Sequence, residues 1–130
     1  MAPSSTPEGL PALSGRYHVG RALYDWVDAH RAEICLSDPQ DRRELVLWVW
    51  YPAAPPPDAK RAAYLPGPWA PTGQFLGLDA TGLRSNAVAD APVATDQSRY
   101  PVLVMSPSGF PPLLLAGIGE ELASHGYVVV

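Results

Sequence analysis

Apolar positions along the chain follow two rhythms, separated by a long stretch that has neither. In the first third they alternate. In Ala22-Leu23-Tyr24-Asp25-Trp26-Val27-Asp28, residues Leu23, Asp25 and Val27 fall on one face and Tyr24, Trp26 and Asp28 on the other, which predicts a strand. Arg43-Glu44-Leu45-Val46-Leu47-Trp48-Val49-Trp50-Tyr51 is the strongest β segment, with Pro52 expected to end it and Asp38-Pro39-Gln40-Asp41 as the preceding turn. Together they predict an antiparallel meander, with Trp48 and Trp50 on one face in the core. Residues 53 to 98 carry no period and are rich in Pro, Gly and Ala, which fits a binding loop or, with more weight, a surface excursion over the sheet edge. Trp69 and Phe75-Leu76-Gly77-Leu78 are its apolar landmarks.

The last thirty residues switch period. Val102-Leu103-Val104-Met105 is an unbroken apolar run bounded by Pro101 and Ser106-Pro107-Ser108-Gly109, which predicts a central strand buried on both faces. Pro111 and Pro112 suit a first helical turn, and Leu114, Leu115, Ile118 and Leu122 then recur at helical spacing, opposite Glu120 and Glu121. Gly126 stands at a left-handed C-cap position with His125 beside it, and Tyr127 to Val130 starts another strand. Strand, helix and strand at this length predict a βαβ unit with parallel strands and a right-handed crossover, hence an α/β class.

Composition narrows the class. The chain has 130 residues, 47% of them apolar, enough for one domain with a sizeable core. A net charge of −4 without a basic tract argues against nucleic acid and anionic membrane surfaces, so the expected partner is neutral or small. One cysteine, Cys35, excludes an internal disulfide. Residues 1–14 read as a flexible leader and 15–130 as the ordered part. The leader has neither a basic nor an apolar signal region and no stretch is long enough to span a bilayer, so a cytoplasmic location is the expectation.

The βαβ residues also carry a family resemblance. Val102 to Pro107, Gly109-Phe110, and Leu122-Ala123-Ser124-His125-Gly126-Tyr127-Val128-Val129 resemble the α/β-hydrolase segment that bears the oxyanion loop. The nearest groups are the platelet-activating-factor acetylhydrolase-like esterases, the dienelactone hydrolase-like enzymes and the cutinase-like polyester hydrolases. The first of these is also similar in Gly15-x-Tyr17-x-Val19-Gly20, Asp28 with Arg31, Arg43-Glu44-Leu45, Trp50-Tyr51-Pro52 and Tyr64-Leu65-Pro66. The resemblance spans about residues 15–66 and 100–130, and departs from the family in Ser108 and Pro111-Pro112. It implies the N-terminal part of an α/β-hydrolase fold and hydrolysis of a short acyl ester through an acyl-enzyme, without cofactor. It also implies that the backbone N–H of Phe110, after Gly109, is an oxyanion-hole donor, with Gly109 and Phe110 against the substrate.

The rest of the catalytic set is missing. A serine hydrolase of this fold places its nucleophile in Gly-x-Ser-x-Gly, followed by an acid and a His, and this pattern does not occur here. Met105-Ser106-Pro107-Ser108-Gly109 lacks the leading Gly, so Ser108 reads as a loop hydroxyl. His125 reads as a helix cap. His18, His30 and Cys35 have no metal spacing, and Gly117-x-Gly119 is no dinucleotide fingerprint. Two readings stay open: the N-terminal portion of a serine ester hydrolase, inactive alone, or a non-catalytic hydrolase-like module that pairs through an exposed strand.

Overall fold

The structure is a computed structural model that describes residues 9–130. Alternating aromatic and β-branched residues build one long hairpin. Strand β1 (His18–Ala32) pairs antiparallel with β2 (Arg42–Ala53) from His18↔Ala53 to Asp28↔Arg43, with an irregularity before Ala32↔Arg42. Short strands complete a mixed five-stranded sheet: β3 (Val88–Ala89), β4 (Val102–Leu103) and β5 (Val128–Val129), in the order β3-β1-β2-β5-β4. Strands β4 and β5 are parallel, as the βαβ pattern predicts, while β5 is antiparallel to β2 and β3 parallel to β1. The expected meander is therefore a single hairpin whose other neighbours come from distant sequence.

Pro52 does not end its strand. It lies inside β2 opposite Val19, and its carbonyl accepts the Ala94 N–H at 2.9 Å. Proline brings no N–H to this pairing, and the Ala94 carbonyl accepts the Tyr100 hydroxyl at 3.0 Å instead.

Two further expectations are corrected. Val102 and Val104 are 60% and 81% exposed, because β4 is the outermost strand and nothing among the described residues covers that face. The helix also turns a different face inward. A 3₁₀ turn over Pro112–Leu115 leads into α2 (Ala116–Ser124), which buries Ala116, Gly119, Glu120, Ala123 and Ser124 and leaves Leu114 and Ile118 47% and 55% exposed. Trp50 decides this. A Cβ on Gly119 would stand 2.6 Å from its ring, so only a stripe of small residues lets the helix seat on the indole. Trp48 and Trp50 are core residues, as their shared face predicts.

The 53–98 connection is more than a surface excursion. A short helix, α1 (Ala70–Phe75), follows a 3₁₀ turn at Gly67–Trp69, and Trp69 meets Trp48 edge-on at 5.3 Å. Ala62, Tyr64, Ser85, Ala87, Ala91 and Ala94, all of this segment, are buried. The Tyr64 hydroxyl donates to the Leu113 carbonyl at 2.8 Å and the Tyr51 hydroxyl to the Ala91 carbonyl at 2.7 Å, so the connection is fastened both to the 3₁₀ turn before α2 and to β2. Of the 1–14 leader, residues 1–8 lie outside the described residues. Leu10 and Leu13 pack against the core, and the Leu10 N–H donates to the Arg84 carbonyl at 3.3 Å.

Because Gly119 has no room for a methyl group, Gly119→Ala should destabilise the fold by on the order of 1 to 3 kcal/mol despite alanine's better helix propensity. Chemical denaturation of both proteins measures this, and a stabilised variant would contradict the close helix–indole contact.

Candidate active site

Strand β4 leaves the sheet at Leu103, and the Met105 N–H is held by the Val130 carbonyl at 2.7 Å. The chain then reverses through Pro107-Ser108-Gly109-Phe110. Ser108 has φ +48° and Gly109 φ +87°, and the Phe110 N–H donates to the Pro107 carbonyl at 3.1 Å. Two successive left-handed residues closed by this bond have the form of a type I′ turn, which glycine adopts freely and serine only under strain. Pro111 and Pro112 then set the extended-to-helical entry of the 3₁₀ turn, where a missing N–H costs nothing.

The turn stands at the carboxyl end of the two parallel strands. Since β2 is antiparallel to β5 with Trp50 opposite Val129, residues Trp48 and Val46 lie towards that same end. There a cavity of about 180 Å³ is walled by Val46, Trp48, Trp50, Met105, Pro107 and Leu115, among others. The Trp48 and Trp50 indole N–H groups are buried without an acceptor among the described residues. Open parallel sheets bind ligands in this position, just beyond the carboxyl ends of their strands.

Arg21, buried on β1, stacks over the Trp48 ring at 5.2 Å and donates to the carbonyls of Ala63 at 3.0 Å and Tyr64 at 3.5 Å. Burial lowers its pKa, against the raising pull of the Glu120 and Asp90 carboxylates. Glu120, buried on α2, accepts from the Ser85 hydroxyl and from the Asn86 N–H at 3.0 Å. Tyr64 has its pKa raised by burial first and the Glu120 charge second.

Gly109 and Phe110 sit in the turn. The Gly109 α-carbon faces open space and the Phe110 side chain is 65% exposed. The Phe110 N–H is engaged with Pro107, and neither residue walls the cavity; Pro107 does. Ser108 is not brought to a base. His125 lies at the far end of α2, where its Nε2 is 3.1 Å from Glu121 Oε1 and 3.0 Å from Ser14 Oγ. Asp28 and Arg31 form an exposed pair at 3.5 Å, and no group of three His, Cys, Asp or Glu is placed to hold a metal among the described residues. Nor is any described helix long and apolar enough to cross a membrane. The helical spacing puts Glu120 opposite the apolar face, whereas it is buried; Trp48 and Trp50 read only as core, and Arg21 and Ser85 stand out by no motif. A charged residue inside the apolar run Val19-Gly20-Arg21-Ala22-Leu23 is the one signal for Arg21.

No family model and no curated protein sequence matches the chain. Among solved structures it is similar to a ferulic acid esterase from Streptomyces cinnamoneus, with 34% sequence identity and a TM-score of 0.77. The match covers 93% of this chain and 34% of the esterase, so the chain spans about a third of that protein's length. At the level of fold, the chain is an esterase-like segment.

Hydrogen bonds around the rim of the fold carry a pH dependence. Asp96 accepts from the hydroxyls of Tyr100 at 2.6 Å and Tyr17 at 2.8 Å, which hold its carboxyl below the usual range, while desolvation first and the bond to Asp96 second raise the Tyr100 pKa. Glu121 is lowered by the Ser14 hydroxyl and N–H, then by His125. A depressed folded pKa gives stability that is present above the unfolded carboxylate value, roughly pH 4, and is lost as pH falls through the folded one. Melting temperature should therefore fall as pH drops below about 4. Asp96→Asn together with Glu121→Gln should flatten that slope, and an unchanged slope would overturn the assignment.

Proposed function

We propose that the chain is the N-terminal portion of a serine carboxylic ester hydrolase and that its Pro107–Phe110 turn supplies one oxyanion-hole donor, the Phe110 N–H. What carries this reading is the overlap of nearly the whole chain with one third of a ferulic acid esterase, at 34% identity. The nucleophile, acid and base come from other sequence, since the 130 residues contain no Gly-x-Ser-x-Gly. The substrate is a carboxylic ester, either a short acyl ester as in the acetylhydrolase-like enzymes or an aryl acyl ester as the ferulic acid esterase's name states for that protein.

In acyl transfer the substrate carbonyl oxygen gains negative charge as the serine attacks. A backbone N–H fixed at that oxygen stabilises the transition state more than the ground state. The turn is suited to this. Its residues are exposed to an incoming carbonyl, it stands at the carboxyl end of the parallel strands, and the Phe110 N–H is held by a single bond to Pro107. Exchanging that bond for the oxyanion gives up about 1 kcal/mol and gains a stronger charge-assisted one. Ser108 shapes the turn through its φ and takes no part in bond making.

A backbone donor and a packing aromatic respond differently to substitution. In a protein that carries this chain together with a Gly-x-Ser-x-Gly segment, Phe110→Ala keeps the N–H and should retain kcat within about threefold. Phe110→Pro removes the N–H and should lower kcat by about 10²- to 10³-fold. The reverse order in p-nitrophenyl acetate turnover would reject the donor role. Turnover by the 130-residue chain alone, lost in Ser108→Ala, would reject the separate nucleophile.

A further inference from the structure

The reverse turn that carries the Phe110 N–H is pinned at both ends. Its entry is set within the sheet, where the Met105 N–H donates to the Val130 carbonyl at 2.7 Å. Its exit is set from the 53–98 connection. The Leu113 carbonyl already accepts the Ala116 N–H, and its second lone pair takes the Tyr64 hydroxyl at 2.8 Å. Leu113 is fully buried and shares one apolar cluster with Tyr64.

Only Pro111 and Pro112 stand between Leu113 and Phe110. Each prolyl ring fixes its φ and each peptide bond is planar, so few soft dihedrals separate the Leu113 carbonyl from the Phe110 N–H. Tyr64 is itself held by its backbone. Its N–H donates to the Leu83 carbonyl at 3.0 Å, and Arg21 donates to the adjoining Ala63 carbonyl at 3.0 Å. We infer that Tyr64 is a positioning residue for the oxyanion donor: its hydroxyl fixes the Leu113 peptide and, through Pro112 and Pro111, the direction of the Phe110 N–H. The placement rests on these bonds alone, whereas its effect on turnover rests on the donor role proposed above. In Tyr64→Phe the ring would fill the same core space, and the Leu113 carbonyl would keep its bond from Ala116. What the hydroxyl adds is therefore constraint. Packing does not need it, but a backbone donor aimed at a developing charge does.

The first test needs no turnover. Tyr64→Phe should speed amide hydrogen exchange at Phe110 by at least about fivefold, read by NMR on the 130-residue protein. A hydroxyl that adds only to global stability would instead speed core amides such as Val128 and leave the locally opening Phe110 unchanged, which would overturn the inference. Tyr64→4-aminophenylalanine keeps the ring and a weaker donor, so its exchange at Phe110 should fall between the two. It gives the same reading where circular dichroism shows Tyr64→Phe to be unfolded. The second test uses a protein that carries this chain together with a Gly-x-Ser-x-Gly segment. There Tyr64→Phe should lower kcat by about three- to tenfold and leave KM within about twofold, since only the transition state uses the donor. In the Phe110→Pro background, which has no N–H to aim, the same substitution should change kcat by less than about twofold. Equal losses in both backgrounds would overturn the positioning role. Faster exchange at Phe110 with unchanged turnover supports the hold of Tyr64 on the turn and removes the donor reading. Unchanged exchange overturns the inference whatever the turnover.

Discussion

One buried carboxylate ties the fold together. Glu120 lies without solvent contact in the middle of α2, and such a charge is tolerated only when its oxygens are matched by donors. Both donors come from residues some 35 positions earlier, the Ser85 hydroxyl and the Asn86 N–H, within a segment of little regular structure. The same segment sends Tyr64 to the Leu113 carbonyl and receives Arg21 on the Ala63 and Tyr64 carbonyls. The helix, the long connection and the first strand are thereby locked through polar groups rather than through apolar area alone. Removing one partner would leave the others buried and unmatched, the costly direction of such a network.

That lock positions what lies at the carboxyl end of the sheet. Arg21 covers Trp48 and Trp48 meets Trp69, so the connection's indole is held by a chain of contacts that begins at a buried charge. On the other side α2 rests on Trp50 through Gly119, which sets the height of the 3₁₀ turn and of the reverse turn before it. Both walls of the cavity are therefore referred to the same pair of tryptophans.

These relations explain which parts could be read in advance. The hairpin was legible because alternating aromatic and β-branched residues state their face locally, and the parallel β4–β5 pair because strand, helix and strand at that length leave little choice. The helix buries a face other than the one its leucines and isoleucines predict, because that spacing assumes that large apolar residues go inward. Here the Trp50 indole already fills that space at Gly119, and Ala116, Gly119 and Ala123 are buried where Leu114 and Ile118 stay exposed. Residues 53–98 were opaque for a related reason. They bury alanines and a serine at irregular spacing, which produces a packed segment without a period. Of the site, the position of the turn was legible from Ser106-Pro107-Ser108-Gly109, while the partner of the Phe110 N–H depends on the φ values of Ser108 and Gly109, which composition does not fix.

The turn itself is closed by one backbone bond around two left-handed residues and followed by a proline pair. A serine at φ +48° carries strain on the order of 1 kcal/mol that glycine in its place would avoid, and the bond from Phe110 to Pro107 holds that geometry. Pro111 and Pro112 stiffen the chain immediately after, so opening the bond would disturb the peptide at Phe110 more than its flanks. Under the proposed donor role, exchanging the Phe110 N–H from this neutral carbonyl to an oxyanion would gain stabilisation only where negative charge develops, which is the differential binding that acyl transfer needs.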